Sequence, residues 1–413
     1  MSSENFIGII ELGNVYLKCI IFEDIQDASP KIISSHKLKS IGISNGTITD
    51  ISKASQCIRS CISEAEKIGN ITLKKINVIF EQPEFLCTKF SKSRKINGAK
   101  IQINDINFLL KEGKKEVLQN DEKHKIIHIF NHNYVVDGKK FNEEPIGFYA
   151  EHLSHEMTFL TAPKNNIKNI YQTFINSDIE VERYISCNFA LAAHLLDAKE
   201  LKEGSILIDI GLEKIGVCFF KNFALINSFT IPIGFNHITK DISKVCLMDL
   251  QESEIIKNKL DFSFESNSDL FSSDGFLKNI YFKSTDYRKI SKSLIVSIVE
   301  SRLNEIFKII KKNLLITDNK SNFSKNFFIT GFNSLLLNLE HCFSNYFKIS
   351  VKKKYQKDNM SDDENIQNSL NFDPCFGALK IIRDGWETEA IPISTIEESN
   401  KIGFFKRIFG NRL

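Results

Sequence analysis

The sequence has little of what punctuates or crosslinks a chain: of 413 residues only 7 are Pro, 19 Gly and 1 Trp, while Ile, Lys, Asn, Phe and Ser dominate, a bias that thins glycine motifs. No apolar run approaches the roughly 18 residues that a membrane-spanning helix needs. The nine cysteines are an odd number and contain no Cys-x-x-Cys pair. Several sit inside apolar runs, so they read as buried free thiols of a reducing compartment rather than a disulfide framework. Neither sign of charge prevails, with 54 basic and 51 acidic residues and a net charge of +3. The basic residues are mostly Lys scattered among acids, which excludes the concentrated positive footprint of a nucleic-acid binder. The start, MSSENFIGII, enters a strand after a short polar lead and has no basic region before an apolar one, so a cytoplasmic body is expected. The length implies two or three domains, and 42% apolar residues suffice for a sizeable core.

Two β-rich apolar runs flank an Asp-x-Gly turn in GSILIDIGLEKIGVCFFKN, residues 204–222. The pattern predicts a hairpin, with Ile206 to Ile210 as one strand and Ile215 to Phe220 as the next. An acid at a strand end followed by Gly suits a phosphate site, because Gly lets backbone N–H groups approach and the acid can hold a metal through water. The chain opens with the same pattern, IGIIELGNVYLKCIIF, in which Glu11 stands for Asp209, Gly13 for Gly211 and Phe22 for Phe220, each offset by 198 positions. Two related hairpins half a chain apart imply two related lobes.

Paired hairpins of this kind resemble the actin, sugar-kinase and chaperone ATPase superfamily, in which the two turns clasp nucleotide phosphates. Further stretches narrow the resemblance to the FtsA family of bacterial cell-division proteins, the actin-like membrane tethers of FtsZ. They are HKIIHIFNHNYVVDG with EEPIGFYAEHLSHEMTFLTAP (124–163), SKSLIVSIVESRLNEIF (291–307), FFITGFNSLLLNLE (327–340), FDPCFGALKII (372–382) and the tail IGFFKRIFGNRL. The implied fold is α/β, actin-like (ribonuclease-H-like) and two-lobed, with an FtsA-type inserted subdomain and a C-terminal amphipathic helix. The implied domains are a first lobe at 1–84 and 166–203 (1A), the insertion at 85–165 (1C), a second lobe at 204–240 and 313–386 (2A), subdomain 2B at 241–312, a polar linker at 387–401 and the amphipathic helix at 402–413.

Along the chain, residues 32–48 read as strand and turn. Ile51, Ala54, Ile58, Ile62 and Ala65 recur at helical spacing between an Asp50 cap and a Gly69 stop, and Lys75 to Phe80 is a strand. Residues 85–165 read as Lys-rich loops, a helix over 104–118 and strands near 125–136 and 147–161. Histidines 124, 128, 132, 152 and 155 fall on alternating strand patterns without a Cys or carboxylate to complete a metal set, so they read as strand histidines. Residues 165–176 and 187–196 read as helices, the second with small Ala190, Ala192 and Ala193 suited to close packing. The stretch 263–275 reads as mobile and polar. Ile290 to Lys311 reads as an amphipathic helix with Leu294, Ile298, Leu303, Ile306 and Phe307 on its apolar face. Phe327 to Gly331 reads as a buried strand followed by a helix, 352–369 as a surface loop, and the FDPCFGALKII helix as the closure of the second lobe.

The resemblance places ATP with Mg at Gly13, Asn14, Asp209, Gly211, Lys214 and Gly331. Against the family pattern, however, Val15 and Tyr16 remove donors from the first clasp, and Leu212, Glu213 and Phe332 replace glycines. A carboxylate beside a polyphosphate costs on the order of 1 to 4 kcal/mol unless Lys214 offsets it. Nucleotide binding is therefore expected to be weak or absent, and no catalytic residue is assigned. The resemblance implies that the FtsZ C-terminal tail, an acidic peptide, meets Lys292 and Arg302 on a solvated face. Further implied partners are copies of the same chain, other division proteins and the membrane lipid surface; nucleic acid is not one. In the tail, Ile402, Phe404, Phe405, Ile408, Phe409 and Leu413 fill about half a helical wheel, with Arg407 opposite and Lys406 and Arg412 near the edges, the composition of an interfacial helix. The expected place is the cytoplasmic face of the inner membrane at the division septum. Two alternatives stay open: a PilM-like pilus-assembly protein, which shares the insertion but lacks the amphipathic segment, and an actin-superfamily ATPase or phosphotransferase, which needs an intact second clasp.

Overall fold

The computed structural model describes residues 6–24, 30–264, 269–315, 326–355, 372–385 and 389–390. They fall into two compact units, residues 1–205 with 218–229 and 371–413, and residues 206–217 with 230–370. The expected amphipathic segment 402–413, most of the 387–401 linker and most of the 352–369 loop lie outside the described residues.

The chain opens with the expected hairpin, β1 (Phe6–Leu12) and β2 (Tyr16–Glu23), antiparallel with Ile9 opposite Ile20 and Glu11 opposite Lys18. Next come β3 (Lys31–Lys39) and a miniature hairpin of β4 (Ile43–Ser44) and β5 (Thr47–Ile48). Its two-residue Asn45-Gly46 turn has φ of 49° and 73°, the left-handed conformation that Asn and Gly tolerate best. Helix α1 (Ile51–Gly69) starts where Asp50 accepts a hydrogen bond from the Lys53 amide at 3.0 Å. Its stop lies one residue beyond the expected Gly69: Asn70 takes the left-handed cap at φ 49°. Ala54, Ile58, Cys61, Ile62 and Ala65 are buried beneath it, whereas Ile51 is exposed. Strand β6 (Lys75–Phe80) then runs parallel to β1.

The insertion follows as β7 (Leu86–Lys100), α2 (Ile103–Asn120), β8 (His124–Val136), β9 (Lys139–Phe141) and β10 (Tyr149–Pro163). The expected Lys-rich loops are in fact the 15-residue strand β7, paired along its length with β10. Its inward positions are partly filled by cations whose stems pack on α2: Lys92 bonds Glu116 at 2.6 Å, and Arg94 pairs with Asp105 and lies over the Phe108 ring. Ile96, Ile106, Leu109, Tyr134, Val136 and Leu153 form the core between sheet and helix.

Returning to the first unit, α3 (Lys164–Ile175) leads to β11 (Glu180–Ser186), then α4 (Cys187–Leu195) and α5 (Ala198–Glu203). The second half brings β12 (Ser205–Ile210), β13 (Ile215–Lys221), β14 (Ala224–Ile231), α6 (Asn236–Cys246), α7 (Leu250–Lys259) and α8 (Lys292–Leu315). It ends with β15 (Asn326–Thr330), a short 3-10 turn at Phe332–Leu335, α9 (Leu339–Phe347) and β16 (Val351–Lys353). The expected helix after β15 thus begins only beyond this turn, and the expected 352–369 loop gives its first two residues to a strand. Residues 269–275 of the expected mobile stretch hold Leu270 and Phe271 buried, with Phe271 bridged to Leu277 just beyond it.

Two of the three five-stranded sheets among the described residues share one order, β3-β2-β1-β6-β11 and β14-β13-β12-β15-β16. The 198-residue repeat of the hairpins is therefore a repeat of whole sheets.

The helix of FDPCFGALKII, α10 (Asp373–Arg383), packs on α4 and β1 of the first unit rather than closing the second lobe. Gly377 lies so close to Ala190 that an added Cβ would overlap its carbonyl group, which is why the small residues of α4 matter. Phe376 meets Phe22 edge-on at 5.6 Å, and Lys380 donates to the Ala193 carbonyl at 2.7 Å. Beyond α10, β17 (Glu389–Ala390), inside the expected linker, adds in parallel to β8, giving the insertion sheet the order β17-β8-β10-β7.

Candidate functional site

The first half of the expected clasp lies in the first unit, at the turn between β1 and β2. A Cβ at Gly13 would overlap the Tyr16 carbonyl, so the turn closes only with glycine. The Asn14 side-chain oxygen accepts a hydrogen bond from the Asn45 amide at 2.8 Å, so this group braces the β4–β5 turn. Gly46, in that turn, gives its carbonyl to Gln82 Nε2 at 2.6 Å, and Gln82 Oε1 accepts from Asn166 at 2.9 Å. Lys18 was missed in the sequence. It faces Glu11 across the hairpin and donates to its carboxylate at 2.9 Å. Burial alone would lower the Lys18 pKa, yet the adjacent Glu11 charge and hydrogen bond leave it raised. The carboxylate that the pattern reserves for a metal is thus compensated by an ammonium. An acid one residue before a strand ends, with a cation directly opposite, is a signal the antiparallel register could have given.

The second half lies in the second unit. Gly211 donates its amide to the Lys214 carbonyl at 3.1 Å, and a Cβ at Gly211 would come within 2.5 Å of that carbonyl, the same closure as at Gly13. Gly331, at φ +85°, faces Asp209: an added Cβ would run into Asp209 Oδ1 and lie 3.0 Å from the Ile210 amide. Asn333 donates to the Ile210 carbonyl at 3.1 Å, which ties the 3-10 turn to β12. Phe332, in place of a second glycine, is 54% exposed.

Glu213 behaves differently from the sequence expectation. Its carboxylate accepts from the Asn236 side chain and pairs with Lys240 at 3.4 Å, both on α6. Lys240 is a cation that offsets it, and the negative charge sits at the first turn of a helix, where the helix dipole favours it. Gly234 makes this possible, because a Cβ there would overlap the Leu212 carbonyl.

On α8 the buried stripe is Ile295, Val299, Leu303, Ile306, Phe307 and Ile310, so the expected apolar face is displaced at its start: Leu294 is 38% exposed and Ile298 only half-buried. Arg302 was expected on a solvated face. It is instead half-buried, bonding Asp241 of α6 through Nε (2.7 Å) and Nη2 (3.0 Å), and Glu305 at 2.5 Å. Hydrogen bonding to Asp241 raises its pKa further. Lys292 opens the helix, its amide bonded to the Gly275 carbonyl at 2.8 Å.

Two of the strand histidines are tied to neighbouring groups. His128 accepts from the Ser186 amide at 3.1 Å, and His155, fully buried, stacks on Tyr134 and meets Asn131 at 2.9 Å. Burial pushes His155 down to about 3 and His132 down to about 4. Among the described residues no His, Cys, Asp or Glu cluster suits a metal, and all nine cysteines are free. Among the same residues no helix is long and apolar enough to cross a membrane.

Comparison with known proteins agrees with this architecture. The profile of the cell division protein FtsA matches residues 206–370, and that of the SHS2 domain inserted in FtsA matches residues 85–161, together more than half of the chain. FtsA of Buchnera aphidicola subsp. Baizongia pistaciae is 25% identical over 87% of this chain and 86% of its own. FtsA of Bacillus subtilis is 24% identical over 76% of this chain and 70% of its own. Among solved structures, a PilM-PilN type IV pilus biogenesis complex superposes with a TM-score of 0.59 at 10% identity, covering 90% of this chain and 96% of that one, a likeness of fold alone. Two sheets of one order, each opened by a glycine-turn hairpin, define an actin-like fold. The insertion between β6 and α3 narrows the class, and the chain belongs to the FtsA family of cell division proteins.

Proposed function

We propose that this chain is a cell-division adaptor that ties FtsZ filaments to the cytoplasmic face of the inner membrane at the septum, associates with copies of itself and helps to recruit later division proteins. The observation that supports this most is the insertion, a complete α/β subdomain of residues 85–163 with its own core, in the place where the FtsA family carries its SHS2 domain. The membrane contact belongs to the sequence of residues 402–413. Burying its six apolar side chains is worth roughly 9 kcal/mol gross, of which ordering a dozen residues takes back most. A single copy binds reversibly, and firm attachment comes from several tails on one polymer. The FtsZ tail, an acidic peptide, is read by Lys292 and Arg302 on α8.

For ATP, the residues fit in their backbone and less well in their side chains. Gly13, Gly211 and Gly331 keep turns that a Cβ would close, and Asp209 stays beside Gly331. Against this, Glu11 is compensated by Lys18 and the Asn14 oxygen is engaged by Asn45. Nucleotide is accordingly held weakly, and no catalytic step is assigned. The reading is tested with purified chain and anionic vesicles: the native chain sediments with them, and Phe405→Glu with Phe409→Glu stays in solution. If the double variant still sediments, the tail is not the membrane contact.

A further inference from the structure

The insertion sheet has two edges. One is β7. The other is β8, whose outer side is shared by two short strands: β9 covers Tyr134 to Val136, and β17 covers Ile129 and Phe130, with Glu389 opposite Ile129 and Ala390 opposite Phe130. This stretch of β8 is rigidly seated. Ile129 and Phe130 are fully buried, and the Phe130 ring meets Phe189 of α4 edge-on at 4.9 Å and Phe220 at 6.3 Å. Phe189 and Phe220 in turn line a small hollow with Ala193, Phe223, Lys380 and Asp384. The chain leaves α10 at the rim of this hollow and reaches β8 five residues after Asp384.

A sheet edge over a packed aromatic floor presents unpaired N–H and C=O groups that accept an added strand. Here the added strand comes from the chain itself. We propose that the outer edge of β8 at Ile129–Phe130 is a strand-addition site whose resident occupant is residues 389–390, and that this contact is a latch on the C-terminal extension. The ladder is only two residues long, and Pro392 lies two positions beyond it, so the strand cannot grow far. A contact this short opens readily, which distinguishes a latch from a permanent strand.

Residue 390 precedes Ile402 by 12 positions, so the contact lies on the chain that joins α10 to the 402–413 segment. Opening bares the β8 edge to an extended peptide of another chain. The pairing stands on the backbone alone, while its consequence for the tail rests on the membrane reading above.

Hydrogen exchange of the full chain tests the pairing. Glu389→Pro with Ala390→Pro, which removes both amides from the ladder, should speed exchange of the outer-edge amides of segment 127–131 by tenfold or more and leave β7 and β10 unchanged. A synthetic peptide of residues 386–396 added to that variant should restore the protection. Unchanged exchange in the variant, or faster exchange that the peptide does not reverse, overturns the proposal. A chain ending at residue 401 separates the two readings: it keeps the protected β8 edge if the latch is right, and it loses vesicle binding only if the tail is the membrane contact.

Discussion

Arg302 grips Asp241 with two nitrogens, Nε at 2.7 Å and Nη2 at 3.0 Å, so the cation assigned to an acidic peptide already holds an acid of its own chain. A peptide carboxylate must share or displace that partner. Two opposite outcomes follow in anisotropy titrations with an acidic FtsZ-tail peptide. Lys292→Glu with Arg302→Glu weakens binding by about thirtyfold, taking about 1 kcal/mol for each of the two peptide contacts. Asp241→Asn, which removes the internal competitor, tightens it several-fold. If neither change alters affinity in folded protein, the peptide binds elsewhere.

Mg-ATP titrated calorimetrically should bind more weakly than micromolar. The carboxylate of Glu213 is bound to Lys240 and Asn236, so Glu213→Gly removes a negative charge from the turn but also unties the start of α6. It should lower stability by about 1 kcal/mol, the usual worth of such a helix-end contact, with little change in nucleotide affinity. Micromolar or tighter binding by the native chain contradicts this view.

Gly377 on α10 is in backbone contact with Ala190. Gly377→Ala should destabilise the first unit by about 3 kcal/mol, the upper range for overpacking, seen as a lower urea midpoint with an unchanged slope. An unchanged midpoint contradicts the packing.

Acid should weaken the insertion. The His155 pKa falls from 6.5 unfolded to about 3 folded because of burial, so between those values the unfolded chain binds more protons. Stability is then full above about pH 7 and declines as pH falls, by about 1.4 kcal/mol per pH unit from this group. Between pH 6.5 and 5 that amounts to about 2 kcal/mol, a slope that His155→Gln should reduce when urea midpoints are compared at the two pH values. An equal slope in both proteins contradicts the assignment.

Much of the fold was legible because its signals are local. The hairpins share residues at a fixed offset, and Asp50 caps α1 where an acid precedes an apolar helical stripe. Strand β7 was not legible, because Lys92 and Arg94 occupy its inward positions and their pairing with α2 is a tertiary fact. The start of the α8 stripe was placed one position early, since Leu294 and Ile295 are both apolar and only packing against α6 selects between them. At the site, glycine positions were readable from the turns. The charge partners Lys240 and Asp241 were not, since they lie 27 and 61 residues from Glu213 and Arg302. The β17 contact hides in a segment whose composition reads as linker.

The most direct measurement is co-sedimentation of FtsZ filaments with anionic vesicles in the presence and absence of this chain. The adaptor account predicts that FtsZ pellets with vesicles only when the chain is present, and that recruitment is lost both with Phe405→Glu and Phe409→Glu and with Lys292→Glu and Arg302→Glu. FtsZ left in the supernatant beside a native chain that has itself bound the vesicles would contradict it.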